Sequence, residues 1–187
     1  RSAKTVLGAR FSSLNQIPSD LSSVSFIILP AEELDSYFSV GVPLIAELPR
    51  ASRQEKHVLA LIDNAKAAGA AAVLCGNIAH FALAKEKEMP IISSFSMNIF
   101  NSSAAKALEE AGAKAHILSF EPTERALKSI QTEFQSGIII YGRLPLMLTA
   151  NCPVANGVSC FNCDKTRCLT DRKGAKFPVI CREGFSE

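Results

Sequence analysis

The sequence predicts an α/β fold: a parallel, (β/α) barrel-like sheet, incomplete, followed by an irregular cysteine-rich C-terminal extension. Three observations lead there. Short β-rich runs alternate with helical segments along residues 1–142. Most of those runs are continuously apolar, as in Phe26-Ile-Ile-Leu29 and Ala71-Ala-Val-Leu74. Continuous runs mean burial on both faces, which parallel strands need. Beyond residue 142 the apolar periodicity stops, and five of the six cysteines fall between Cys152 and Cys181. The expected organisation is a barrel-like domain over residues 1–142 and a metal- or cluster-binding extension over 143–187.

Strands are expected at residues 5–11, 25–29, 43–48, 71–74, 91–95, 115–120 and 137–141. Helices separate them. Residues 32–38 and 78–88 read as short helices. Residues 54–68 carry the clearest helical signal: Val58, Leu61, Ile62 and Ala65 fall at i, i+3, i+4 and i+7 and make one apolar face. The helix over 101–111 has Asn101 as its N-cap and Gly112 to end it, and Pro122 opens the next at a first-turn position. Repeated β-α units imply right-handed crossovers. Seven units in a row favour a barrel over a doubly wound sheet, although a complete barrel typically takes about 250 residues. The eighth strand is then either missing or formed by residues 177–181. No dinucleotide fingerprint follows the first strand: Leu7-Gly8-Ala9-Arg10 has one glycine where three are needed.

Composition removes several classes. The chain has 187 residues, is 48% hydrophobic and carries 20% charged side chains, the opposite of a disordered chain. No stretch approaches 18 uninterrupted apolar residues, so no membrane span is expected. A net charge of +2 argues against a protein that coats nucleic acid. The charge is uneven: residues 1–141 hold 13 basic and 14 acidic side chains, residues 142–187 hold 7 and 4. The chain begins at Arg1 and stops mid-pattern at Ser186-Glu187, so it is expected to be a piece of a longer protein, with the remainder of that parent chain as a partner.

In a parallel barrel, chemistry collects where strands run into the following loops. Those positions here are Arg10, Glu47, Asn77, Asn98, Glu121 and Arg143. Together they form a candidate ring around a barrel mouth: Glu121, Arg143 and Asn98 as catalytic residues, Arg10, Glu47 and Asn77 as substrate-binding ones. Arginine suits bidentate binding of a carboxylate or phosphate, and glutamate serves as a base or orients a polar substrate. The plainer alternative is that such residues are caps and turn formers, which fits Asn better than Arg or Glu. No His-Glu-x-x-His and no Gly-x-Ser-x-Gly occurs. Cys75 and His80 are near enough in sequence to be a nucleophile pair, but a lone cysteine ending an apolar strand is more often a small buried hydrophobe.

The tail cysteines are spaced Cys152-x7-Cys160-x2-Cys163-x4-Cys168-x12-Cys181. Thiolates bind soft or borderline metals, and four suffice for either a zinc ion or a 4Fe–4S cluster. The spacing is not a zinc ribbon of two C-x2-C pairs, so a 4Fe–4S cluster is preferred, with zinc as the alternative and disulfides or free thiols third. Lys165, Arg167, Arg172 and Lys173 interleave with these cysteines and offset thiolate charge.

The run Tyr141-Gly-Arg-Leu-Pro-Leu-Met147, then Asn151-Cys-Pro153, Cys160, Cys163, Leu169-Thr-Asp-Arg-Lys-Gly174 and Phe177-Pro-Val179, resembles the collagenase-like peptidase family of unassigned catalytic type, peptidase family U thirty-two. Phe95-Ser-Met-Asn-Ile-Phe-Asn101 and Val73-Leu-Cys-Gly-Asn77 are similar to it as well. The resemblance implies a (β/α)-barrel core with a cysteine-bearing extension. It implies either a peptidase, as the family label states, or a protein that hydroxylates RNA or a quinone precursor, holds a 4Fe–4S cluster on four cysteines and takes oxygen from prephenate. The setting expected is cytoplasmic, and the expected partners are RNA or a small carboxylate substrate, with no membrane. A third reading is a non-catalytic, metal-stabilised domain that helps a partner bind RNA. No nucleophile–base pair legible in the sequence supports proteolysis.

Overall fold

The computed structural model describes residues 5–36, 39–154, 168–182 and 185–186. Cys160 and Cys163, with Lys165 and Arg167, lie outside the described residues. The chain divides into two compact units, Arg1–Ile140 and Tyr141–Glu187.

In the first unit seven parallel strands form one sheet: β1 (Gly8–Arg10), β2 (Phe26–Pro30), β3 (Leu44–Glu47), β4 (Ala72–Cys75), β5 (Ile91–Ser93), β6 (Ala113–Ile117) and β7 (Gln135–Gly137). They are hydrogen-bonded in strict sequence order, β1 to β7. A doubly wound sheet would reverse direction at a switch point; this one does not, and it curls into a half-barrel. Four helices alternate with the later strands: α1 (Glu55–Ala67), α2 (Ala79–Glu86), α3 (Ser102–Glu110) and α4 (Glu124–Ser129). Among the described residues, no helix is long and apolar enough to cross a membrane.

Burial on both faces explains the continuous apolar strands. On the helix-covered face Ile27, Leu29, Val73, Cys75 and Ile91 pack with Val58, Leu61, Ile62 and Ala65 of α1, the stripe read from the periodicity. On the other face Ile28, Ile45 and Leu74 pack with Ile92 and Ile117. Each fully buried Val, Leu or Ile contributes about 1.5–3 kcal/mol, so α1 is fastened by its stripe rather than by its caps. Its N-cap residue, Gln54, makes no side-chain capping bond. In α3 the expected cap forms: Asn101 Oδ1 accepts the Ala104 N–H at 2.9 Å. In α4 the cap is Thr123, whose Oγ1 accepts the Ala126 N–H at 3.3 Å, so Pro122 precedes the cap instead of opening the first turn.

Three expected elements differ. Residues 32–38 were expected as an α-helix; Ala31–Ser36 form a 3-10 helix instead, and residues 37–38 lie outside the described set. The last sheet strand comes earlier than the apolar run at 138–140 suggests: Gln135–Gly137 pair with β6, while Ile138 and Ile140 are exposed. A strand at an open edge has one neighbour, so it need not be apolar. Residues 177–181 form no eighth parallel strand. In the second unit β8 (Cys168–Thr170) pairs antiparallel with β9 (Lys176–Pro178), and β10 (Cys181–Arg182) with β11 (Phe185–Ser186). The turn between β8 and β9 is closed by Asp171, whose Oδ1 accepts the N–H groups of Lys173 and Ala175, both at 2.8 Å. That local hydrogen bonding favours a hairpin over a long parallel crossover.

Candidate functional site

The C-terminal ends of the strands are the first place to look for chemistry. Arg10 and Glu47 share one face of the sheet, because Arg10 pairs with Ile28 in β2 and Glu47 follows Ile45 in β3. They meet across β2: Arg10 Nη2 lies 2.7 Å from Glu47 Oε2, and Arg10 Nε donates to the same oxygen at 2.8 Å. Two expected substrate-binding residues therefore bind each other and tie β1 to β3. Asn77, the third, uses its Oδ1 to accept the Ala79 N–H at 3.0 Å, a turn of the Asx kind just before α2, whose N-cap is Ile78.

Asn98 and Glu121 come together through a residue not foreseen from sequence. Ser119 Oγ donates to Asn98 Oδ1 at 3.2 Å and accepts the Glu121 N–H at 3.4 Å. Ser119 is buried, so this pair of bonds fixes the loop after β5 against the loop after β6. Asn98 holds a left-handed backbone (φ 58°, ψ 49°), which Asn tolerates better than other side chains. The Glu121 side chain is exposed. Arg143 is exposed and belongs to the second unit.

The same edge carries an aromatic platform that the sequence reading missed. The Arg50 guanidinium lies over the Phe95 ring, 5.8 Å from its centroid. Phe95 meets Phe120 at 5.7 Å between centroids with a 54° tilt, the offset geometry that aromatic quadrupoles prefer. Phe120 is 42% exposed, and Ile78 and Phe100 in neighbouring loops are exposed too. A guanidinium over the half-buried Phe95, with the exposed Phe120 beside that ring, suits a flat, anionic ligand. Phe95 stood in a noted motif, but nothing in sequence pairs it with Arg50.

A second constellation was also missed. Ser93 Oγ lies 2.8 Å from His116 Nδ1, and His116 Nε2 lies 3.1 Å from Glu109 Oε1. Glu109 Oε1 also accepts the N–H groups of Glu133 (2.7 Å) and Phe134 (3.4 Å). The Glu109 carboxylate can only accept, so His116 Nε2 donates to it. The order acid, imidazole, hydroxyl is that of a hydrolytic triad. Its placement is not: Ser93 is 0% and His116 2% exposed, and Ser93 extends β5 on the helix-facing side, two residues from core Ile91. The Glu109 carboxyl is pushed up by burial, but the bonds from the Glu133 N–H, His116 and the Phe134 N–H outweigh that and hold it below the ordinary carboxylate value. The network ties α3, β5, β6 and the segment entering β7 together.

The Cys75–His80 pairing does not provide a nucleophile. Cys75 is 0% exposed in the main core, and burial pushes its thiol up to about 12, so it stays protonated. Burial pushes His80 down, and its Nδ1 has no hydrogen-bond partner among the described residues. A cavity of about 380 Å³ elsewhere is lined by Leu14, Ile17, Pro18, Ser19, Leu21 and Val40 and holds none of the expected site residues.

Of the tail thiols, Cys152 is half-buried, Cys168 and Cys181 are exposed, and none of the three is in a disulfide. Cys181 Sγ lies 3.5 Å from Ser186 Oγ. Among the described residues, no three His, Cys, Asp or Glu side chains gather as ligands. The model of Peptidase family U32 matches residues 46–174, more than two thirds of the chain. The chain belongs to peptidase family U32. Within that U32 match fall the whole aromatic platform, five of the six expected strand-end residues, and Cys152, Cys160, Cys163 and Cys168; Arg10 and Cys181 fall outside it. No curated protein and no solved structure matches the chain.

Proposed function

We propose that this U32 domain binds a flat, anionic substrate at the C-terminal rim of its half-barrel and serves iron–sulfur-dependent hydroxylation, of RNA or of a small aromatic precursor, rather than proteolysis. The observation that carries this reading is the division between the two polar constellations. The hydrolase-like line of Ser93, His116 and Glu109 is buried on the helix-facing side of the sheet. The rim presents the exposed Phe120 ring and the exposed Glu121 carboxylate, with the half-buried Arg50 guanidinium over Phe95. Rings and a guanidinium bind and orient a ligand; a protease needs an accessible nucleophile beside its base.

The residues take these roles. Arg50 and Phe120 hold the ligand's charge and its flat face. Glu121, kept close to Asn98 through Ser119, is the exposed carboxylate able to accept or return a proton at the rim. Arg10 and Glu47 brace β1 and β3 and so fix the shape of the rim. Arg143, exposed in the second unit, is proposed by itself as an anion-binding residue. Cys152, Cys160, Cys163 and Cys168 are the proposed ligands of a 4Fe–4S cluster, being the four cysteines inside the family match, with zinc as the alternative occupant. A cluster bound there would supply electron transfer, and the chain's own residues supply binding and proton handling.

The test is purification of the full chain without oxygen, followed by analysis of iron, labile sulfide and zinc, alongside an assay on gelatin and casein. Iron and sulfide in about equal amounts, near four of each per chain, with no cleavage, is the expected result. Cleavage that Ser93→Ala abolishes would overturn the reading. So would a chain that takes up neither iron nor zinc.

A further inference from the structure

Gly76 lies one residue beyond β4, at the same edge of the sheet as the platform. A Cβ added to it would stand 2.6 Å from Ser96 Oγ and 3.2 Å from Arg50 Cγ. The first separation is shorter than side chains tolerate and the second is tight, so any larger residue would push both neighbours away. The glycine is needed here for close approach. Ser96 uses the room: its Oγ donates to the Gly76 carbonyl at 3.1 Å. One residue beyond β5, the Ser94 N–H donates to the carbonyl of Cys75, the last residue of β4, at 2.9 Å. The segment after β5 is thus held twice against the end of β4, and Phe95 lies between the two anchoring serines.

We infer that Gly76 is the positioning residue of the rim. Its missing side chain lets the β3–α1 and β5–α3 connections close over the end of β4. That closure sets the Arg50 guanidinium over Phe95 and Phe95 against Phe120. The inference rests on the reading of the rim as a ligand site only for its functional consequence; the interlock itself is a property of the fold.

The experiment is NMR on the full chain labelled with carbon-13 and nitrogen-15, reading the Arg50 side-chain resonances. Phe95→Ala gives the shift of these resonances without the ring. Gly76→Ala is expected to move them toward the Phe95→Ala position, while the amide signals of α1 stay in place. Adding Ser96→Ala to Gly76→Ala is expected to bring them part of the way back, because the hydroxyl at 2.6 Å is gone. Arg50 resonances unchanged in Gly76→Ala would overturn the inference. Should Gly76→Ala fail to fold, Gly76→Ala with Ser96→Ala carries the test: the added methyl still stands 3.2 Å from Arg50 Cγ, and Arg50 signals at their wild-type position would again overturn the inference.

Titration with benzoate separates this inference from the functional reading. Wild type is expected to bind benzoate and Gly76→Ala to bind it about 2- to 30-fold more weakly, the range of a lost cation–π contact. Resonances that move as described in a wild type that ignores benzoate would uphold the interlock and overturn the rim as a flat-anion site.

Discussion

The two units of this chain are held by different physics. In the first, strands from β2 to β6 and the facing helices bury one large apolar cluster, with a smaller one on the opposite face of the sheet. In the second, Val179 is the only buried hydrophobic side chain among the described residues; the order there comes from two short hairpins and local side-chain bonds such as those of Asp171. Fixing a backbone residue costs about 1–2 kcal/mol in entropy. The sheet unit offsets that cost by burial. The tail has little burial with which to do so, and metal ligation, whose free energy becomes folding free energy, is the proposed substitute. The difference teaches where to expect sensitivity: to cavities in one unit, to thiol chemistry in the other.

The sharpest contrast is between the cysteines of the two units. Cys75 is sealed in the core with its thiol pushed up to about 12, so its reactive thiolate at neutral pH is scarcer than that of an ordinary thiol by about a thousandfold. In metal-free native protein, iodoacetamide should label Cys168 and Cys181 and spare Cys75, as read by peptide mass spectrometry. Equal labelling of Cys75 in folded protein would break the comparison.

Next in size is the core itself. Ile62→Ala should destabilise the sheet unit by about 2–5 kcal/mol, measured by urea denaturation, while the thiol reactivity of Cys168 is unchanged. The third effect belongs to the buried polar network. Glu109→Ala strands the His116 Nε2–H and the N–H groups of Glu133 and Phe134 and should cost about 1–3 kcal/mol. The sign of its pH dependence follows from the lowered carboxyl. The contribution of Glu109 is fully present above the ordinary glutamate value of about 4.3. It is lost as pH falls through the lower native value, so Glu109→Gln should flatten the acid limb of the stability curve. A curve that keeps its acid limb in Glu109→Gln would contradict that assignment. The smallest effect is at a cap: Asn101→Ala should cost about 1 kcal/mol, read as a small drop in thermal midpoint.

What was legible in the sequence follows the same division. The α1 stripe, the parallel sheet and its barrel-like order could be read because burial on a face leaves a period in the chain. Strand-end residues were recognisable as a class, but not their partners: Arg10 and Glu47 are 37 positions apart and meet only because β2 inserts between their strands. Ser93 and His116 were invisible as a pair, since their contact depends on a strand irregularity between Ile91 and Ile92 that sets the pairing of Ser93 with His116. The edge strand was misplaced because the apolar run at 138–140 is a stronger signal than the polar Gln135-Ser-Gly137 that pairs with β6. In the tail, apolar pattern carries almost no information, and hairpin pairing such as Leu169 with Phe177 is decided by the Asp171 turn.

We propose that the four cysteines inside the family match hold the metal centre of the second unit. The most direct measurement compares metal bound by Cys152→Ser and by Cys181→Ser, both purified without oxygen and both checked for the helical signal of the sheet unit. The account predicts that Cys152→Ser loses the bound iron, or zinc, with the helical signal intact, and that Cys181→Ser retains it. Retention by Cys152→Ser, or equal loss from both variants, would contradict the assignment.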